Sequence, residues 1–81
     1  NSGITIYPNP VLQGDNIIIN LNAQSVVNHQ QLSISDITGR IIYKQALNSS
    51  ITTIPFVFSR GIYFVNVSDE NNSFSQKIIS E

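Results

Sequence analysis

The sequence predicts an all-β fold in which two antiparallel sheets of about seven strands in total pack as a sandwich. Fourteen Ile, six Val and four Thr residues supply side chains that suit a pleated, half-buried surface. Turn-forming residues recur about every ten positions, a spacing typical of sandwiches and small barrels. No long window repeats apolar residues at helical spacing. The length of 81 residues predicts one domain, spanning 1–81.

The individual strands are predicted from apolar and polar residues that alternate between turn signals. In the second strand, Ile17, Ile19 and Leu21 share one face, and in the sixth, Tyr63 shares a face with Val65 and Val67. The predicted strands are 4–7, 16–21, 31–37, 40–47, 50–55, 61–68 and 73–79. Their number and the absence of helices favour an immunoglobulin-like antiparallel β-sandwich.

Two of these strands carry more specific expectations. Pro55 cannot donate a hydrogen bond to a neighbouring strand, so it predicts an edge position or the end of the fifth strand. In the fourth strand the pattern is less regular. There we expect Ile42 to face the core and Ile41 and Tyr43 to lie on the other side.

Composition excludes several functions. Four Lys and Arg residues against five Asp and Glu residues give a net charge of −1, which predicts no nucleic-acid or anionic-membrane partner. The chain has no Cys, and no apolar run reaches the ~18 residues that a membrane span needs. Because the chain opens on Asn1 without Met, we expect it to be an excised fragment of a longer protein.

Three short motifs each have a local physical explanation. The prolines of residues 7–10 (Tyr-Pro-Asn-Pro) end a strand and protect its edge. Asp36 stands three residues before Gly39, as in a tight turn whose carboxylate accepts backbone N–H bonds. Gly61 at a strand start, followed by Tyr63, predicts a packed ring whose hydroxyl bonds a nearby loop, as in a tyrosine corner.

The order of these motifs, followed by a basic and apolar tail, resembles the C-terminal sorting domain (type A) of the type IX (Por) secretion system of Gram-negative bacteria. The resemblance covers nearly the whole chain. The positions that match the family pattern are Tyr7, Pro8, Asn9, Pro10, Asp36, Gly39, Arg40, Gly61, Tyr63, Val65, Val67, Lys77, Ile78 and Ile79.

The resemblance implies a secretion signal on a larger protein that passes through the periplasm and outer membrane to be secreted or held at the cell surface. Its partners would be the type IX translocon, shuttle components and a sortase-like peptidase that cuts before residue 1 or within the first few residues. The domain would be a monomer without membrane insertion. The residues implied in translocon recognition are Gly61, Tyr63, Lys77, Ile78 and Ile79. Gly61 and Tyr63 would fix the fold, and Lys77 to Ile79 would form the recognition edge, open to strand addition.

Catalysis is not expected. His29 is the only His, and no nucleophile, base and orienting group stand at a recognisable spacing, so we predict no enzyme activity, cofactor or metal. Asp69 and Glu70 are interpreted as a solvated corner. Asp15 and Asp36 could share a calcium ion only if the fold brings their loops together.

The alternative from a different class is a carbohydrate- or protein-binding sandwich attached to an extracellular enzyme. Such a module needs an exposed aromatic platform, for which Tyr43, Phe64 and Phe74 are the candidates. A structural spacer remains if neither surface exists.

Overall fold

The computed structural model describes residues 4–21, 30–69 and 73–81, and over these residues the chain forms seven strands and no helix. The prediction of a seven-strand, all-β sandwich is confirmed. The strands are β1 (Thr5–Tyr7), β2 (Asn16–Asn20), β3 (Gln31–Asp36), β4 (Ile41–Ala46), β5 (Ile51–Pro55), β6 (Gly61–Ser68) and β7 (Ser73–Ser80). In the described part of the chain, no helix could cross a membrane.

The strands form two antiparallel sheets. The three-stranded sheet has the order β1-β2-β5, and the four-stranded sheet has the order β4-β3-β6-β7. Pro55 is the last residue of β5, an edge strand, as predicted. Val11 makes one parallel bridge to Ser80, so the chain leaves β1 in one sheet and joins the outer edge of β7 in the other. This arrangement is immunoglobulin-like.

The core lies between the sheets and follows the predicted alternation. From the three-stranded sheet it takes the inward residues of β1, β2 and β5, and from the four-stranded sheet those of β3, β6 and β7. Its fully buried side chains are Val11, Ile17, Ile19, Leu21, Leu32, Ile34, Leu47, Ile54, Phe56, Val65, Val67 and Ile78. Each side chain of this size contributes about 1.5–3 kcal/mol by leaving water.

Strand β4 departs from the prediction. Ile34 pairs with Tyr43 and Ser35 pairs with Ile41, so Ile42 is an extra residue that forms a β-bulge. Both Ile42 and Tyr43 consequently pack against the core, while Ile41 stays exposed. The prediction for Ile42 is confirmed. The prediction that Tyr43 lies on the opposite face was wrong, because the bulge changes the alternation at this point.

An aromatic cluster closes one end of the core. Phe56 is completely buried, and its ring makes T-shaped contacts with the rings of Phe58 and Tyr63, at centroid distances of 5.0 and 5.4 Å. Tyr43 packs against Phe58 with a centroid distance of 6.4 Å. Sequence reasoning missed Phe56 because it lies beyond Pro55. The signal was present, however, since Phe56 continues the two-residue spacing of Ile54 along the inward face.

Candidate functional site

Residues 9–13, called the strap below, run along the outer edge of β7. The side-chain amide of Asn9 donates through Nδ2 to the carbonyl oxygen of Lys77 at 3.0 Å, and Asn9 Oδ1 accepts from the backbone N–H of Ile79 at 3.1 Å. A side-chain amide carries the same donor and acceptor as a peptide group. Asn9 therefore takes the place of one peptide unit of a neighbouring strand.

Backbone bonds extend this pairing to the C-terminus. Val11 donates to the carbonyl of Ile79 and accepts from the N–H of Glu81, both at 2.8 Å, and Gln13 donates to the carbonyl of Glu81 at 2.9 Å. Val11 is completely buried, so its side chain anchors the strap to the core. The N-terminal motif and the C-terminal tail thus form one structural unit, although 68 to 70 residues separate the bonded partners of Asn9.

The strap changes the interpretation of the tail. Strand β7 does lie at a sheet edge, as predicted. The backbone groups expected to receive an added strand are nevertheless already bonded at the Lys77 carbonyl, at both groups of Ile79 and at both groups of Glu81. The expectation of open strand addition at residues 77–79 was therefore wrong. The proline motif follows β1 in the three-stranded sheet, but the edge that it protects is that of β7 in the four-stranded sheet.

We expect Asn9→Ala to lower the free energy of unfolding by about 1–3 kcal/mol, since two hydrogen bonds of about 0.5–1.5 kcal/mol each are removed. The local effect should be larger: amide hydrogen exchange at Ile79 should accelerate, while that of Val65 in the central strand β6 follows only the global change. Asn9→Asp is the matched control, because its oxygen still accepts from Ile79 but the donor to Lys77 is gone. Unchanged exchange at Ile79 in Asn9→Ala would contradict the role of the strap.

The Asp36 motif is the tight turn that its sequence predicts. Asp36 Oδ1 accepts from the Thr38 hydroxyl at 2.6 Å, the Thr38 N–H at 3.0 Å and the Arg40 N–H at 3.1 Å. Gly39 donates to the Asp36 carbonyl at 2.9 Å and has φ of 92°, which L side chains rarely adopt. Arg40 Nε lies 3.7 Å from Asp36 Oδ2, but the arginine side chain is 79% exposed, so this ion pair contributes little.

These bonds hold the pKa of Asp36 below its ordinary value of 3.8, chiefly through the Thr38 hydroxyl. Desolvation is the second-largest effect and raises the pKa, while the Arg40 and Thr38 amides and the Arg40 charge lower it further. A carboxyl whose pKa is lower in the folded state stabilises that state above pH 3.8 and loses this contribution as the pH falls below it. An NMR titration should therefore place the Asp36 midpoint below 3.8, and Thr38→Val should move it back toward that value. A midpoint at or above 3.8 would show that the turn does not favour the ionised carboxylate.

The third motif forms a tyrosine corner. The Tyr63 hydroxyl donates to the Ser59 carbonyl at 2.7 Å, and Tyr63 is only 8% exposed. Gly61 has φ of 152°, and a Cβ at this position would lie 4.0 Å from the Tyr63 ring. The glycine is therefore required by its backbone conformation and not by lack of space. The prediction of a buried Tyr63 with a bonded hydroxyl is confirmed.

The tail residues face in different directions. Ile78 is completely buried in the core, opposite Tyr63. Lys77 is exposed and lies opposite Phe64, and Ile79 is 37% exposed and lies opposite Ile62. In the folded domain, a partner can reach the side chains of Lys77 and Ile79, but not that of Ile78.

Other site chemistries receive no support from the geometry. Tyr43 and Phe74 pack against the core, whereas Phe64 lies on the outer face, so the three aromatic residues form no coplanar platform. Among residues 4–21, 30–69 and 73–81, no group of three or more His, Asp and Glu side chains could hold a metal ion. His29 and Glu70 lie outside the described residues, and so does most of the polar turn that contains Glu70.

The fold and motifs define a class: a small β-sandwich module whose N-terminal motif, turn and tyrosine corner maintain its structure and leave part of its tail exposed. The chain belongs to the family of secretion system C-terminal sorting domains, whose model matches residues 5–81. It is the sorting signal of proteins that the type IX system secretes or anchors at the surface of Gram-negative bacteria, and such a sorting domain is non-catalytic.

Two comparisons match this chain to parts of larger proteins. The chain is 30% identical over 81 residues to an endo-acting ulvan lyase of Formosa agariphila, covering 96% of this chain and 15% of the lyase. It also resembles the structure of PorZ, a surface component of the type-IX secretion system of Porphyromonas gingivalis, with a TM-score of 0.79 and 22% identity. That likeness covers 98% of this chain and 11% of PorZ, and it shows the fold. The chain thus spans only a small part of either relative.

Proposed function

We propose that residues 1–81 form a single sorting domain at the C-terminus of a larger exported protein, where the outer-membrane translocon and its shuttle components recognise it. A sortase-like peptidase then removes the domain near residue 1. The main support for this proposal is the match of the family model to residues 5–81. Since the domain does no chemistry itself, the activity of the whole protein belongs to the part that precedes it.

The burial of each motif residue supports a division of roles. Gly61, Tyr63 and Ile78 act by maintaining the fold, because the glycine holds an unusual backbone conformation and the other two side chains are buried. Lys77 and Ile79 act by direct contact, because their side chains are accessible on β7. We also propose that the domain is a monomer.

Deleting residues 77–81 is a poor test of this recognition. The deletion removes the buried Ile78 and every bond that the strap makes to β7, so loss of export would also follow from unfolding. Point substitutions at the exposed residues separate the two effects.

Removal by the peptidase can be tested with a reporter fused ahead of residue 1 in a type IX-competent cell. Mass spectrometry of the reporter recovered from the surface should show a C-terminal peptide that ends before residue 1 or within the first few residues. A strain without the sortase-like peptidase provides the control, in which the reporter should retain the whole domain. Recovery of the uncut fusion from the competent strain would contradict the proposed processing.

A further inference from the structure

The outer face of the four-stranded sheet is divided into an apolar and a polar half. One half carries Ile41, Ile62, Phe64 and Ile79, called the apolar face below; Ile41 is 52% exposed, and Ile62 and Ile79 are each 37% exposed. The other half is polar except for the small side chain of Ala46, and it carries Gln31, Ser33, Lys44, Ala46, Asn66, Ser68, Ser73 and Ser75. Such a division is not needed for folding, since the opposite face of the sheet already forms the core.

The strand register makes the apolar face continuous. Ile79 lies directly opposite Ile62, and Phe64 follows Ile62 on the same side of β6. Ser35 stands between Ile41 and Phe64 in the same row and is only 8% exposed, so its larger neighbours cover it. The four apolar side chains therefore form one patch and not isolated exposed residues.

We propose that the apolar face, with Lys77 at its rim, is the surface through which the type IX apparatus contacts the domain, and that the partner is a protein surface of apolar side chains bordered by carboxylates. This inference rests on the proposed function. The partner would contact the outer face of the sheet and not the edge of β7, because the strap is already bonded to that edge at residues 77–81. It also includes both exposed residues of the tail motif, Lys77 and Ile79.

The charged residues of the outer face indicate the chemistry of the partner surface. Within the strands, the charged residues of this outer face are Lys44 and Lys77, with no carboxylate among them. Neither lysine forms an ion pair with a described residue. A partner with acidic side chains around an apolar centre would complement both the patch and its rim.

The same charges disfavour two other occupants. A two-fold dimer through this face would bring the lysines of one copy near those of the other, and like charges at an interface are unfavourable. An anionic membrane attracts a protein by about 1 kcal/mol for each basic residue at its surface, and two lysines on a domain of net charge −1 provide little. A small patch of this kind suits a transient contact during transport.

The test uses the reporter fused ahead of residue 1 in a type IX-competent cell. Ile62→Thr with Ile79→Thr keeps β-branched residues and removes apolar surface. It should reduce surface delivery about tenfold or more, which corresponds to about 1.4 kcal/mol of binding free energy. The matched control is Ile18→Thr with Ile51→Thr on the outer face of the three-stranded sheet, which should be delivered as the unmodified domain is. Lys77→Glu should also reduce delivery, whereas Arg60→Glu should not.

Thermal unfolding of each purified variant shows whether a loss of delivery reflects a loss of stability. If the Ile62/Ile79 double variant fails to fold, Lys77→Glu still tests the surface. Equal delivery of the Ile62/Ile79 and Ile18/Ile51 pairs, with Lys77→Glu unaffected, would overturn the inference about the surface and leave the proposed function intact. No delivery of the unmodified domain would instead contradict the proposed function. Binding of the purified domain to vesicles of phosphatidylcholine and phosphatidylglycerol, or its dimerisation in sedimentation velocity, would overturn the choice of partner if the Ile62/Ile79 pair abolished it.

Discussion

Tyr63→Ala should lower the free energy of unfolding by about 3–5 kcal/mol, the usual cost of truncating a large core side chain to alanine. The Tyr63 ring lies 5.4 Å from that of Phe56 and 5.8 Å from that of Phe58, and its hydroxyl bonds the Ser59 carbonyl. A domain of this size is stable by only about 5–15 kcal/mol in total, so much of the population would unfold at moderate urea concentration. Urea denaturation followed by circular dichroism measures the decrease in stability.

Tyr63→Phe separates the two contributions. It keeps the aromatic packing and removes only the hydroxyl bond, so its cost should be about 0.5–1.5 kcal/mol. A melting temperature of Tyr63→Ala within a degree or two of the unmodified domain would contradict the role of the tyrosine corner, because about 1 kcal/mol shifts the melting temperature of so small a domain by about 4–8 °C.

Ile78→Ala and Ile79→Ala should differ sharply although the residues are neighbours. Ile78 is completely buried, so its truncation should cost about 2–5 kcal/mol. Ile79 faces outward and is 37% exposed, so its truncation removes packing on the sheet surface and leaves the core intact. We therefore expect Ile79→Ala to cost about 1 kcal/mol or less. Urea denaturation of the pair measures the difference directly.

The same pair distinguishes folding from recognition in cells. Ile79→Ala should reduce the surface delivery of a fused reporter without reducing the amount of folded domain. Ile78→Ala should reduce delivery only in proportion to the domain that unfolds. Equal stabilities of the two variants would contradict the assignment of Ile78 to the core and Ile79 to the surface.

Much of the fold follows from short-range sequence patterns. The strands were predictable because Ile17 and Ile19, or Tyr63 and Val65, alternate with outward residues between clear turn signals. The turn at Asp36 was predictable because its hydrogen bonds join residues within four positions of one another. Local patterns did not predict the bulge at Ile42, because the extra residue becomes evident only when β4 is paired with β3.

The candidate site was less predictable because it depends on contacts between the chain ends. Asn9 was recognised as a motif residue, but nothing near it in the sequence indicates that its side chain bonds Lys77 and Ile79. The closed edge of β7 follows from that contact. The outer apolar face has the same origin, since Ile41, Phe64 and Ile79 come together only through the order of the strands.

The central claim, that the folded domain is a type IX sorting signal, is tested most directly by the surface delivery of a reporter fused ahead of residues 1–81. Protease accessibility on intact cells measures the fraction of reporter at the surface. Delivery should require both the domain and a working type IX system, so the reporter alone, and the fusion in a strain without the translocon, should remain inside the cell. Retention of the fusion in the competent strain, or its delivery without the translocon, would contradict the claim.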